Sequence, residues 1–219
     1  MTILSLLEYS IKYNIAHIPS ALSQFYYIKH IWKILRKNNT PIFNGKPYGA
    51  QAFYILEKQF NGLSKSLMQI DDVYPIIKHC GDNIGNTLGI AAGYTIDYNK
   101  TTYCNIGDAT LQMGPTLEAI QFIGENKLPI ILTIDINNYQ LTRKISNRIN
   151  YYKNIFYKWD VVHIKFGESL NIFNDYINTC KPVVFLIETK KGCGVKEMED
   201  NPIEWHYKKL KDINDVTIS

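Results

Sequence analysis

The second half of the chain alternates two kinds of segment. Short apolar, β-branched runs recur at Thr101–Ile106, Pro129–Asp135, Val161–Phe166 and Pro182–Glu188, and helical apolar spacing fills Pro115–Asn126, Ile145–Trp159 and Glu168–Thr179 between them. Strands that read as continuous apolar runs separated by helices predict an α/β fold: a mostly parallel sheet flanked by helices on both faces. The first half is mainly helical. Thr2–Asn14 and Ser20–Lys37 keep their apolar residues on one face, the second starting at Ser20 after Pro19. Asn39–Lys46 reads as a Pro/Gly/Asn connection, Ala50–Gln59 as a short helix, and Leu63–Ile77 as a stretch broken by Pro75. Asn86–Tyr98 carries Gly89, Ala91, Ala92 and Gly93, which suits a helix lying close on a sheet. No repeat, linker or low-complexity tract divides residues 1–219, so they read as a single domain with room for a substantial core.

Composition narrows the function classes. A net charge of +4, spread along the chain, gives no ground for a nucleic-acid partner. The basic run Lys29–Lys37 alternates with Ile31, Trp32, Ile34 and Leu35, as the solvated side of an amphipathic helix does. Cys80, Cys104, Cys180 and Cys193 lack CxxC spacing, so neither a zinc site nor a redox pair is indicated. Met1–Leu7 has no basic leader character, and no apolar run reaches the roughly 20 residues of a membrane span. The expectation is a reduced, cytoplasmic protein that does not engage a membrane.

Two strand ends carry the candidate chemistry. Gly107-Asp108-Ala109 follows the first run, and Asn137-Asn138-Tyr139 follows the second, with Asn137 twenty-nine residues beyond Asp108. In open parallel sheets, ligands bind beyond the carboxyl ends of the strands. A carboxylate and a carboxamide there are hard oxygen ligands suited to Mg²⁺, which usually completes its shell with water and a phosphate-bearing partner. Taken alone Asp108 reads as a helix cap, and Asn138 competes with Asn137, since either can be a turn residue.

The whole set of motifs resembles the diphosphate-binding domain of transketolases. Gly107-Asp108-Ala109 through Leu111-Gln112-Met113-Gly114 and Leu117-Glu118-Ala119, with Asn137, is similar to that family's Mg²⁺–thiamine diphosphate motif. Four more segments agree in order: Ala16-His17-Ile18-Pro19-Ser20-Ala21-Leu22-Ser23, Ile84-Gly85-Asn86-Thr87-Leu88, Thr189-Lys190-Lys191-Gly192-Cys193-Gly194-Val195, and Met198-Glu199-Asp200-Asn201-Pro202 running into Trp205-His206-Tyr207-Lys208. The resemblance implies the thiamine diphosphate-binding fold, with Mg²⁺ held by Asp108, Asn137 and the backbone carbonyl of Tyr139. It implies that His17 and His206 serve as catalytic and cofactor-lining imidazoles, that Gly107 and Ala109 present backbone N–H groups to the diphosphate at the helix mouth, that Lys191 flanks the pocket, and that Glu118 lies at a subunit interface.

The departures from the family pattern point to the substrate. Ala109 stands where the family has glycine, which requires φ < 0 there. Met113 replaces an acid. The family's Ser-Lys-Gly-His-Ala becomes Gly45-Lys46-Pro47-Tyr48-Gly49, so the substrate-facing position is Tyr48, and no Gly-His-Pro segment is visible between Gly62 and Cys80. No second α/β domain for the pyrimidine ring follows before Ser219. The resemblance then implies the N-terminal subunit of a split transketolase, assembled as α₂β₂ with a C-terminal subunit. It would move a two-carbon ketol unit from a ketose to an aldose, with a phosphorylated, nucleotide-linked or otherwise modified sugar as substrate. A 2-oxoacid-processing thiamine enzyme and a catalytically silent subunit are the alternatives.

Overall fold

The computed structural model describes residues 2–61, 76–80, 84–141, 143–146 and 148–219. The chain runs α1 (Ile3–Lys12), α2 (Ile18–Lys37), β1 (Ile42–Asn44), α3 (Gln51–Asn61), β2 (Ile77–Cys80), α4 (Thr87–Tyr98) and β3 (Thr102–Gly107). A 3₁₀ turn (Asp108–Gln112) leads to α5 (Gly114–Asn126), β4 (Ile130–Ile136), the small antiparallel pair β5 (Tyr139–Gln140) and β6 (Arg143–Lys144), α6 (Ile149–Ile155), β7 (Asp160–Ile164), β8 (Val183–Glu188) and α7 (Lys196–Asp200). Six strands form one sheet in the order β2-β1-β3-β4-β8-β7, every neighbouring pair parallel.

Side-chain parity explains why the strands read as unbroken apolar runs. On β8, Val183, Phe185 and Ile187 pack with α1, α2 and α3, while Val184 and Leu186 pack with α4, α5 and α6. On β4, Ile131 belongs to the first cluster and Ile130, Leu132, Ile134 and Ile136 to the second. A parallel sheet covered on both faces needs apolar residues at both parities. Three polar exceptions, Asn105, Thr133 and Asp135, sit on the α2 side and are fully buried, while Thr102 on the other face meets Thr95 of α4 at 2.7 Å. Tyr27 donates to Asn105 Oδ1 at 2.5 Å, Thr133 donates to the same oxygen at 2.9 Å, and Asn105 Nδ2 donates to Gln24 and Asn44 at 2.9 Å each. Buried polar groups satisfied in this way fix how α2 and β1 sit on the sheet.

Several sequence expectations are corrected here. Asn39–Lys46 contains a strand, β1, hydrogen-bonded to β2 and β3 on either side. Its two apolar residues are too few to show a period, and its ladder partners are distant in the chain. The second helix starts at Ile18, with Pro19 inside its first turn where the missing N–H costs nothing. The helix expected over Ile145–Trp159 shrinks to α6, because Ile145 instead donates its N–H to Asn138 O at 2.9 Å. Glu168–Thr179 holds only a 3₁₀ segment (Asn171–Tyr176), where Ser169 and Asn174 side chains bond nearby backbone in competition with an α-helix. The strand after α6 stops at Ile164 rather than Phe166. Most of Leu63–Ile77, with its Pro75 break and the span searched for Gly-His-Pro, lies outside the described residues, and its last two residues lead into β2.

Candidate functional site

The strand order sets the site. Gly107 is in register with Asp135 across β3 and β4, so Asp108 and Asn137 emerge side by side beyond paired strand ends. β1 flanks β3 and delivers Lys46, and β8 flanks β4 and delivers Lys191. A pocket of about 360 Å³ opens there, and its lining includes Lys46, Asp108, Asn137, Tyr139 and Lys191. From the other side the same pocket is closed by His17, Tyr48, His206 and Tyr207, with Gly107 and Ala109 at its floor. Of the residues given a role by the resemblance, all but Glu118 line this one cavity. Glu118 lies exposed on α5.

Asp108 is buried at the start of the 3₁₀ turn. Burial pushes its carboxyl up to about 6, against the pull of Lys46, the Ala109 amide and Lys191. Its Oδ2 is buried without a hydrogen-bond partner. A buried carboxylate oxygen left unpaired is costly unless an absent ligand completes it. Asn137 donates from Nδ2 to Asp135 Oδ2 at 3.2 Å and accepts on Oδ1 from the Tyr139 N–H at 3.0 Å. Asn138 takes the left-handed turn position at φ 61°. Among the described residues, no group of three His, Cys, Asp or Glu side chains is placed to hold a metal. The donor set is therefore one orphaned carboxylate oxygen and neutral amide or carbonyl oxygens, which fits a hard cation that brings its own phosphate ligands.

The Ala109 position is compatible with its methyl, because Ala109 is absent from the residues with positive φ. Gly192 has the opposite constraint. Its φ is +85°, and a Cβ there would stand 2.6 Å from the carbonyl of Met198. Lys191, its neighbour, is buried, and its Nζ donates to Leu141 O at 3.0 Å. Burial lowers Lys191 to about 8 and Lys46 to about 7, both partly restored by Asp108.

The histidines form the opposite wall. His17 precedes α2 in the left-handed region at φ 58°, a conformation more tolerable for His than for most residues. Its ring centroid is 4.7 Å from that of His206, 4.6 Å from Tyr48 and 5.2 Å from Tyr207. Burial, with Lys191 second, lowers both imidazoles, His206 to about 4. Both are neutral at pH 7, and His17 Nδ1 and His206 Nε2 are buried without partners. Tyr48 and Tyr207 stay exposed at the rim. Lys46 and Tyr207 are site residues that the motif reading passed over. Lys46 lies two residues before Tyr48, and Tyr207 stands where the Trp-His-Gly-Lys ending of the resembled transketolase subunits has glycine.

Asp108, Asn137, Lys46, Lys191, His17 and His206 thus gather at the strand ends of one parallel α/β fold. Solved transketolases share it: that of Leishmania mexicana superimposes with a TM-score of 0.67 at 14% identity over 89% of this chain and 36% of that one. The Campylobacter jejuni transketolase gives 0.62 at 18% identity over 76% and 31%. By sequence, the chain is 27% identical over 173 residues to a 1-deoxy-D-xylulose-5-phosphate synthase of Buchnera aphidicola, covering 67% of this chain and 29% of that protein. No family model matches the chain. The fold is that of transketolases, and the chain spans about a third of the length of each of these proteins.

Proposed function

We propose that this chain is the metal- and diphosphate-holding half of a thiamine diphosphate-dependent, transketolase-like enzyme. The observation that carries the reading is the buried, partnerless Oδ2 of Asp108 in one pocket with Asn137 and two lysines. Asp108, the Asn137 amide oxygen and the Tyr139 carbonyl would hold Mg²⁺, and Lys46 and Lys191 would balance the anionic diphosphate. Bound thiamine diphosphate supplies an electron sink for cleaving the bond next to a carbonyl, while the protein orients the reactants. His206 accepts on Nδ1 from Lys191 at 3.2 Å, so it carries its proton on Nε2 and can donate it to a substrate oxygen. His17, also neutral, can hold or pass a proton at the same oxygens.

The reaction proposed is transfer of a two-carbon ketol unit from a ketose to an aldose. Tyr48 and Tyr207 support a substrate other than the ordinary sugar phosphates. They replace small or basic groups with two phenols at the rim, surfaces for a sugar ring or a nucleotide-linked sugar. We place the pyrimidine-binding and C-terminal domains on a separate subunit, in an α₂β₂ assembly with Glu118, exposed on α5, at an interface.

Titration calorimetry of the purified chain with Mg²⁺ and thiamine diphosphate, alone and mixed with a candidate C-terminal subunit, tests this reading. Weak binding alone, tight binding on mixing and ketol transfer only in the mixture are expected. Tight binding without turnover would make this a silent subunit. Turnover by the chain alone would remove the split arrangement.

A further inference from the structure

Asp135 is the most completely enclosed charge in the protein's site region. Its side chain is fully buried, and four different elements donate to it. Ser23 of α2 donates to Oδ2 at 2.7 Å, Lys46 after β1 forms an ion pair with the same oxygen, Thr189 after β8 donates to Oδ1, and Asn137 donates from Nδ2 at 3.2 Å. It does not line the pocket. Asn137, which donates to it, does.

We infer that Asp135 is a positioning residue that decides which end of the Asn137 amide faces the ligand. A carboxamide is nearly symmetric in shape, and its two ends carry opposite hydrogen-bonding character. An ionised carboxylate only accepts, so the group turned towards Asp135 must be the NH₂. The second amide proton points at Ser23 Oγ, 3.4 Å away. The carbonyl oxygen is thereby left on the pocket side, where the Tyr139 N–H reaches it at 3.0 Å and a lone pair remains for a cation. A rotated amide would set its oxygen against the carboxylate and offer two N–H groups to the cation. Lys46 and Thr189 hold the carboxylate in place, so the orientation is imposed from three strand ends at once. The fixing of a ligand by a partner behind it is a general feature of metal sites.

This inference rests on the reading of Asn137 as a metal ligand, and the experiment separates the two. Binding of Mn²⁺ with inorganic pyrophosphate to the full chain is measured by calorimetry for wild type, Asp135→Asn, Asn137→Ala and the double variant, beside the thermal midpoint of each ligand-free protein. Asp135→Asn keeps the shape but can turn either end to Asn137. It should weaken binding about 10-fold, within the range typical of such outer partners. In the Asn137→Ala background the same change should cost less than about 2-fold, because there is no amide left to orient. A merely structural role would lower the thermal midpoint and leave affinity alone, and that result overturns the inference. An equal loss in both backgrounds overturns it too, since the carboxylate would then act through Lys46. Wild type that binds while Asn137→Ala binds equally well removes Asn137 as a ligand, and the inference with it. Should Asp135→Asn fail to fold, Ser23→Ala relaxes the same amide, and unchanged affinity in that variant overturns the proposal.

Discussion

Lys191 donates from Nζ to Nδ1 of His206 at 3.2 Å, and the contact settles which nitrogen of the imidazole carries the proton. The Nε2–H is left buried and unpartnered towards the pocket. The same ammonium, after burial itself, keeps the ring from taking a second proton until about pH 4.

Stability should therefore respond to acid through His206. The unfolded imidazole protonates near 6.5 and the folded one near 4, so between those values the unfolded state binds more protons. The contribution from a neutral His206 is present above pH 6.5 and is lost as pH falls towards 4. Asp108, pushed up to about 6 from 3.8, works in the opposite direction over an overlapping window, so the two must be separated by mutation. His206→Asn should flatten the fall of thermal midpoint between pH 6.5 and 4 relative to wild type. Parallel curves would contradict the assignment.

Asp108→Ala should leave the fold intact and remove metal-dependent binding. The side chain has an unpaired buried oxygen, so its deletion strips no hydrogen bond from that atom. The apo protein should be as stable as wild type or more so, because an expensive buried carboxylate is gone. Loss of affinity for Mn²⁺ with thiamine diphosphate should exceed about 100-fold, above the range seen for outer partners of metal ligands. Unchanged binding by calorimetry would move the metal elsewhere.

Tyr48→His should restore ordinary donors. Wild type, assembled with the proposed C-terminal subunit, is expected to use pentulose and hexulose phosphates at least about 10-fold less efficiently than a full-length transketolase, a difference of about 1.4 kcal/mol in kcat/KM. The Tyr48 ring lies 4.6 Å from His17 at the exposed rim, so an imidazole there would face the same donor oxygens. Steady-state kinetics with these donors would decide it, and equal kcat/KM for the two forms would make Tyr48 neutral for donor choice.

Gly192→Ala should be costly for a reason unrelated to chemistry. Its φ of +85° is left-handed backbone, worth roughly 1–2 kcal/mol against any residue with a Cβ, and the new methyl would meet the Met198 carbonyl at 2.6 Å. The thermal midpoint should drop by several degrees, and Lys191, its neighbour, should be displaced. A variant as stable as wild type would show that the Met198 backbone can yield.

Much of the fold is legible in the sequence because burial on both faces of a parallel sheet calls for apolar residues at both parities of β3, β4 and β8, and the helices that cover them keep their own period. The order of Asp108, Asn137, Lys191 and His206 within recognisable motifs is likewise a property of the chain alone. Other features depend on contacts between residues far apart. β1 is three residues long and exists because β2 and β3 supply its ladder from both sides. Through it Lys46 reaches Asp135, eighty-nine residues away, and no local pattern records that pairing. The aromatic rim is of the same kind: Tyr48 and Tyr207 come from opposite ends of the chain and meet only around His17. Period and motif are written in neighbouring residues. The polarity of the Asn137 amide, the proton on His206 and the pairing of Lys46 are settled by partners that only the folded sheet brings within hydrogen-bonding distance.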